Sequence, residues 1–116
     1  MKNIKFYVCD KCGNILTSTE NAEIVCCGEK VSPLVAKKED EAHKLCVEKT
    51  EDDFYVTFAH PMTTEHYISF ISYVRFDRVL TVRLYPEQDG ELRFPQMRGG
   101  KMYYYCNTHG LFELTI

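Results

Sequence analysis

The sequence has no stretch approaching the roughly 18 uninterrupted apolar residues of a membrane span, and its opening MKNIKFYVCDKCG lacks an apolar segment followed by a small-residue cleavage site. A soluble, cytoplasmic protein with no membrane partner is therefore expected. A lysine-arginine block is missing as well. With 14 basic against 17 acidic residues the formal charge is −3, no basic stripe would track phosphates, and nucleic acid is not an expected partner. No sequence repeat or low-complexity tract interrupts the chain, and its composition is not that of a disordered one.

What is present is apolar and aromatic. Eight Tyr and seven Phe among 116 residues are enough to fill an all-β core without any long helix. The length suits one ordinary domain, or a small metal-held module joined to a domain of roughly 80 residues. The cysteines favour the second arrangement.

Six cysteines without a secretory signal argue against a disulfide framework, and the adjacent pair Cys26-Cys27 suits one poorly. The strand-like KFYV (5–8) leads into Cys9-Asp10-Lys11-Cys12-Gly13, a tight turn that presents two sulfurs to one point, and AEIV (22–25) delivers Cys26-Cys27-Gly28. The spacing C-x2-C-x13-C-C closes a loop around one ion, and so short a segment hardly folds without such a staple. A module over residues 1–36 is expected. Four thiolates match tetrahedral coordination of zinc or a single iron, with no position left open for substrate. Zinc ribbons use two Cys-x-x-Cys knuckles, and a vicinal pair strains the tetrahedron. Iron is the expectation at this site, with zinc as the alternative.

Residues 37–116 read differently. The charged KKEDEAHK (37–44) has the composition of a solvated linker, and beyond it the pattern turns β. FYVTFAH (54–60), HYISFISYV (66–74) and VLTVRLY (79–85) alternate β-branched and aromatic residues at period two. Phe76-Asp77-Arg78 reads as a turn. PEQDGE (86–91) and Arg98-Gly99-Gly100 break the chain before KMYYYC (101–106) and GLFELTI (110–116) supply the last strands. Short strands at this interval predict a β-sandwich.

All four histidines lie in this second part, and His109 follows Cys106 by three residues in CNTHG. His60-Pro61-Met62 ends one expected strand and His66 opens the next, which would hold two imidazoles at the same end of neighbouring strands. Taken singly, His60 could cap a strand, His66 could be half-buried core, and Cys106 could be a small buried hydrophobe. Together, nitrogen and thiolate donors on strand ends and turns make a coherent metal cage.

HPMTTEHYISFI resembles the His-Pro-Met…Glu-x-His-Tyr-Ile motif of superoxide reductases, also called desulfoferrodoxins and neelaredoxins, and CNTHGLF resembles their Cys-Asn-x-His-Gly-Leu-Trp/Phe signature. EAHKLCVEK (41–49) is similar to their Glu-Lys-His-Val-Pro-Val-Ile-Glu-Lys, and FYVCDKCGNI with EIVCCGE resembles the desulforedoxin-like N-terminal module of two-iron members. The resemblance covers nearly the whole chain. It implies a four-cysteine module (Cys9, Cys12, Cys26, Cys27) followed by an immunoglobulin-like antiparallel β-sandwich over 37–116. It further implies four equatorial nitrogens from His43, His60, His66 and His109 around ferrous iron, an axial thiolate from Cys106, and one open axial position. The implied reaction is one-electron reduction of superoxide to hydrogen peroxide, with electrons from an external rubredoxin-like donor. Glu41 would be the carboxylate that closes the open position once the iron is ferric, and a homodimer is the implied assembly.

The chain departs from that pattern at one point beside the site. The family's lysine between glutamate and histidine is Ala42, a lost cation that a chain of net charge −3 does not replace globally. Lys37, Lys38 and Lys44 are the candidates to substitute. Lys44, Leu45 and Cys46 also stand where the family has Val-Pro-Val, so a less rigid loop is expected around His43, and Cys46 is expected to be buried and inert. A second function class, a non-catalytic iron-binding electron carrier or oxidant sensor with the same two sites, stays open because of Ala42. A Cys106–His109 nucleophile-base pair for acyl transfer is the weakest reading, since it leaves three histidines unused and no oxyanion-hole motif accompanies it.

Overall fold

Alternating side chains build this molecule, because strands that place every second residue inward need partners on both sides of a core. The structure is a computed structural model that describes residues 4–76, 78–97 and 99–116. Asp77 of the expected turn and Arg98 of the expected break lie outside the described residues. The chain divides into two compact units, one ending at Val35 and the other beginning at Ala36.

The first unit consists of two hairpins. Strands β1 (Lys5–Val8) and β2 (Ile15–Ser18) pair antiparallel from Lys5↔Ser18 to Val8↔Ile15. Strands β3 (Ile24–Cys26) and β4 (Glu29–Val31) pair from Ile24↔Val31 to Cys26↔Glu29. The connection between β3 and β4 is Cys27-Gly28, both at positive φ (54° and 79°), the signature of the mirror-image two-residue turns that match strand twist. The Leu34 N–H donates to the Phe6 carbonyl at 2.8 Å and ties the end of the unit back to β1.

The second unit is an all-β sandwich. A three-stranded sheet in the order β10-β7-β6 comprises β6 (Leu45–Lys49), β7 (Asp53–Phe58) and β10 (Glu91–Pro95). A five-stranded sheet in the order β5-β12-β11-β8-β9 comprises β5 (Lys37–Lys38), β8 (Ile68–Arg75), β9 (Arg78–Arg83), β11 (Lys101–Cys106) and β12 (Gly110–Thr115). Pairing is antiparallel except for β5, which runs parallel to β12. Leu45, Phe54, Val56 and Phe94 from the small sheet meet Ile71, Tyr73, Met102, Tyr104 and Phe112 from the large one. Tyr73 contacts Phe54 and Phe94 edge-on, with centroids 5.7 and 5.8 Å apart, the geometry that ring quadrupoles favour. Its buried hydroxyl donates to the Gly99 carbonyl at 2.6 Å, so the phenol leaves no unpaired polar atom in the core.

In the charged run 37–44, Lys37 and Lys38 pair with β12, and Glu41–His43 form a 3₁₀ turn capped by Asp40. Two expectations are corrected here. Strands β7 and β8 are not neighbours; they lie in different sheets, and residues 59–67 cross from one sheet to the other. Cys46 is exposed, because β6 is an edge strand whose alternation turns Leu45 inward and Cys46 outward opposite Thr57. Among the described residues no helix is long and apolar enough to cross a membrane.

Candidate metal centres

Two groups of donor side chains stand out, one in each unit. In the first, the sulfurs of Cys9, Cys12, Cys26 and Cys27 all lie within 4.8 Å of one another. The turn after β1 is held by Gly13 N–H to the Cys9 carbonyl (2.8 Å) and by Cys9 N–H to the Asn14 carbonyl (3.0 Å), which curls Cys9 and Cys12 around one point. The vicinal pair reaches the same point because Cys26 ends β3 while Cys27 occupies the left-handed first position of the β3–β4 turn. The Cys12 and Cys26 sulfurs are 3.5 Å apart, close to the spacing of about 3.8 Å that a tetrahedron with 2.3 Å metal–sulfur bonds requires.

Electrostatics says what the four thiols need. Backbone N–H groups of Cys12 and Lys11 aimed at Cys9 pull its pKa down to about 7. Cys27 is pushed up to about 12 by its hydrogen bonds with Cys12 and Cys9, and Cys26 is raised chiefly by Cys12. One thiolate forms readily and then opposes the next. Four thiolates at this spacing require a cation, and their softness suits zinc or iron.

In the second unit, ligand atoms of His43, His60, His66, Cys106 and His109 also lie within 4.8 Å of one another. The four imidazoles form a closed circuit with centroid separations of 4.9 Å (His43–His60), 4.5 Å (His60–His66), 5.1 Å (His66–His109) and 4.8 Å (His109–His43). The elements supplying them are diverse. His43 ends the 3₁₀ turn, His60 and His66 sit on the crossing between sheets, Cys106 ends β11, and His109 lies in the turn to β12. A register shift between Tyr105↔Phe70 and Cys106↔Ile68 leaves Ser69 as an extra residue on β8, a bulge of the kind that re-aims side chains. Cys106 is fully buried there. Gly110, at φ 97°, lets the chain reverse directly after His109.

Hydrogen bonds fix which ring nitrogen faces inward. The His43 Nδ1–H donates to Asp40 Oδ1 at 2.7 Å and the His60 Nδ1–H to the Pro61 carbonyl at 2.7 Å, so each turns Nε2 toward the group. Burial lowers the His60 pKa and keeps the ring neutral, the form that binds metal. The Nε2 atoms of His60 and His66 are buried without any hydrogen-bond partner. Two such orphaned acceptors in one place are costly unless a cation takes them. His109 presents Nδ1 instead, 3.1 Å from His43 Nε2 and 3.5 Å from the Cys106 sulfur. The 3.1 Å spacing is that of neighbouring nitrogens on one ion with bonds of about 2.1 Å.

A family model described as desulfoferrodoxin matches residues 26–115. The chain belongs to the desulfoferrodoxin family. A desulfoferrodoxin from Syntrophotalea carbinolica is 33% identical, with 97% of this chain and 96% of the relative covered. A desulfoferrodoxin homolog from Methanothermobacter thermautotrophicus is also 33% identical over 93% of this chain and 95% of its own. Among solved structures, the superoxide reductase from Treponema pallidum superposes with a TM-score of 0.86 at 20% identity, covering 98% of this chain and 99% of that one. The 1Fe superoxide reductase from Giardia intestinalis has a TM-score of 0.54 at 20% identity, over 66% of this chain and 98% of its own. At those identities the two structures establish the fold.

Around the five donors the chain carries residues whose parts are not evident from motif spacing. Asn107 clamps the two halves of the site: its Oδ1 accepts from Tyr67 N–H (3.0 Å), its Nδ2 donates to the Glu65 carbonyl (3.1 Å), and its N–H donates to the Tyr67 carbonyl (3.1 Å). Those contacts flank His66. Phe112 stacks on His43 with centroids 4.3 Å apart and planes 17° from parallel. The Lys37 ammonium donates to the His109 carbonyl at 2.5 Å and lies over the Phe112 ring. Asp40 had a local sequence signal, an Asp three residues before a turn-ending His. Lys37 was one of the lysines expected to replace the missing cation, and Asn107 and Phe112 stand in the CNTHGLF motif, but what each of them touches was not evident without the strand pairing. Glu41 is exposed and lines a groove with Lys44, Leu45, Cys46 and Phe58, outside the five-donor group.

Proposed function

We propose that this protein is a superoxide reductase whose reaction occurs at the His43-His60-His66-His109-Cys106 group. The observation that carries the reading is the closed circuit of four imidazoles with a buried thiol beside it and two buried Nε2 atoms lacking any other partner. Five donors of this mixture suit iron, and they leave an ion that accepts six ligands with room for one small oxidant. The fold it shares with proteins solved as superoxide reductases supports the same reading.

His43, His60 and His66 through Nε2, and His109 through Nδ1, would hold the metal, with Cys106 as the thiolate. When bound in the ferrous state, iron supplies one electron to superoxide, which with two protons becomes hydrogen peroxide. The chain's residues do the rest. Cys106, held by the bulge, places an electron-rich sulfur on the buried side. Asp40 and the Pro61 carbonyl lock their imidazoles in the ligating tautomer. Lys37, fixed at the His109 carbonyl, supplies positive charge close to the site in a chain that has Ala42 where the family carries lysine. Glu41, on the same 3₁₀ turn as His43, is the carboxylate proposed to approach the open side after oxidation.

The Cys9-Cys12-Cys26-Cys27 group would hold a second iron, with zinc as the alternative. A rubredoxin-like protein is the proposed electron donor, the cytoplasm the proposed location and a homodimer the proposed assembly. Ala42 favours one further reading, an electron carrier or oxidant sensor with the same metals and slow turnover.

Metal analysis combined with visible spectra before and after oxidation tests the proposal. Thiolate bound to ferric iron absorbs visible light, so the four-cysteine centre should give one set of bands and oxidation of the second centre another. Cys106→Ser should remove only the second set and abolish superoxide consumption, and Cys9→Ser should remove only the first. Superoxide consumption that survives Cys106→Ser would refute the mechanism.

A further inference from the structure

Tyr104 is a buried, oxidisable phenol that the proposed reaction does not use. Its ring faces Phe112, its register partner on β12, with centroids 5.6 Å apart and planes 20° from parallel. Phe112 in turn stacks on His43 at 4.3 Å. The rings therefore form a continuous stack from Tyr104 to a ligand of the metal group. Through the chain the link is equally short, since Tyr104 precedes Cys106 by two residues on one strand and both point into the core. The Tyr104 hydroxyl donates to Glu39 Oε2 at 3.0 Å, and Glu39 is part-exposed. A buried phenol with an aromatic path to a metal ligand and a carboxylate on its O–H has what one-electron oxidation needs: an exit for the electron and a base for the proton.

We propose that Tyr104 is an auxiliary electron donor to the metal centre, oxidised to a neutral tyrosyl radical when hydrogen peroxide meets the ferrous site, with Glu39 taking the phenolic proton. The proposal rests on the reading of that centre as an iron site whose product is peroxide. Reduction of hydrogen peroxide to two waters takes two electrons and two protons. Ferrous iron becoming ferric supplies one electron. Breaking the Tyr104 O–H bond supplies the other electron, and its proton goes to Glu39. One solvent proton and the proton passed on from Glu39 complete the two waters. Without Tyr104, the oxidising equivalent would fall on the Cys106 thiolate, a ligand that conversion to sulfenic acid would destroy. Tyr104 thus diverts product damage from the sulfur to a side chain that a later electron and the returning proton restore.

Freeze-quench electron paramagnetic resonance on the full iron-loaded, reduced chain mixed with one equivalent of hydrogen peroxide tests this. The wild type should give a free-radical signal together with ferric iron, and ring-deuterated tyrosine should narrow that signal. Tyr104→Phe should lose the radical while the iron still oxidises, and mass spectrometry should then find more oxygen added at Cys106. Glu39→Gln, which leaves the phenol in place but removes its base, should diminish the radical. A wild type whose iron oxidises without any radical, or a radical that persists in Tyr104→Phe, would overturn the proposal and leave the superoxide reductase reading standing. Failure of the five-donor group to bind iron, seen as absence of its visible band, would overturn both.

Discussion

Asp40 and His43 form one unit: a single carboxylate oxygen, Oδ1, accepts both the His43 backbone N–H at 3.0 Å and its Nδ1–H at 2.7 Å. One oxygen therefore caps the 3₁₀ turn and orients a candidate metal ligand. The His43 ring, in return, holds the Asp40 carboxyl below its ordinary range.

An anionic partner on the far nitrogen makes an imidazole a stronger donor, which favours the oxidised metal. Asp40→Asn keeps an oxygen for the cap but removes the charge, and should raise the reduction potential of the five-donor centre while leaving the fold unchanged. Asp40→Ala should also loosen His43 and weaken metal binding by about 10–100-fold. Redox titration of the visible band and competition with a chelator read the two effects. A potential unmoved by Asp40→Asn would show that the contact is only a cap.

Charge near the open side sets how fast an anion arrives. Ala42→Lys, on the exposed turn that carries His43, should raise the second-order rate with superoxide by roughly tenfold at low ionic strength, and added salt should erase the gain. Lys37→Ala should lower that rate without changing the visible spectrum, because Lys37 touches the His109 carbonyl and not its ring. Pulse radiolysis across a salt series measures both. A rate unaffected by Ala42→Lys would mean that encounter does not limit the reaction.

Much of this was legible in the chain, and for physical reasons. Strands such as KMYYYC and FYVTF, with dense β-branched and aromatic residues, announce themselves because they bury one face or both. Strands β5, β6 and β10 did not. Lys37–Lys38 has no apolar signal at all, and β6 and β10 are edge strands, where pairing on one side tolerates charge and, at Pro95, a residue with no N–H. The donor residues stood out by type and spacing. Which sheet carries each donor did not, because strands read as 54–60 and 66–74 leave only residues 61–65 between them, the length of a hairpin loop. The exposure of Cys46 was hidden for the same reason: a strand edge is a property of the sheet, not of the residues within it.

Asn107 joins the crossing to the β11–β12 turn through three hydrogen bonds, two of them from its side chain. Asn107→Ala should remove the bonds to the Tyr67 N–H and the Glu65 carbonyl and cost about 1 kcal/mol of stability, since both bonds are exposed and water can take over their partners. Its sharper effect should fall on His66, which lies between the two contacts. Metal affinity at the five-donor group should drop while the bands of the four-cysteine centre stay unchanged. Denaturant unfolding and chelator competition on the same preparation separate the two losses.

The N-terminal unit has little apolar material of its own: among the described residues, Ile4, Phe6, Tyr7 and Cys9 are its buried hydrophobic side chains. Paired hairpins of three or four residues do not hold together on that basis, so the metal on the four thiolates should supply most of the unit's stability. Removing it with a thiol-competing chelator in the full chain should strip amide-exchange protection from β1–β4 and leave β7, β8 and β11 protected by the sandwich core. Cys9→Ser should do the same without chelator. The thiols released should lose the spread that their close packing imposes, with Cys9 pulled down to about 7 and Cys27 pushed up to about 12, and should react alike as ordinary cysteines. Protection of β1–β4 that persists in the metal-free chain would show that packing alone holds the unit.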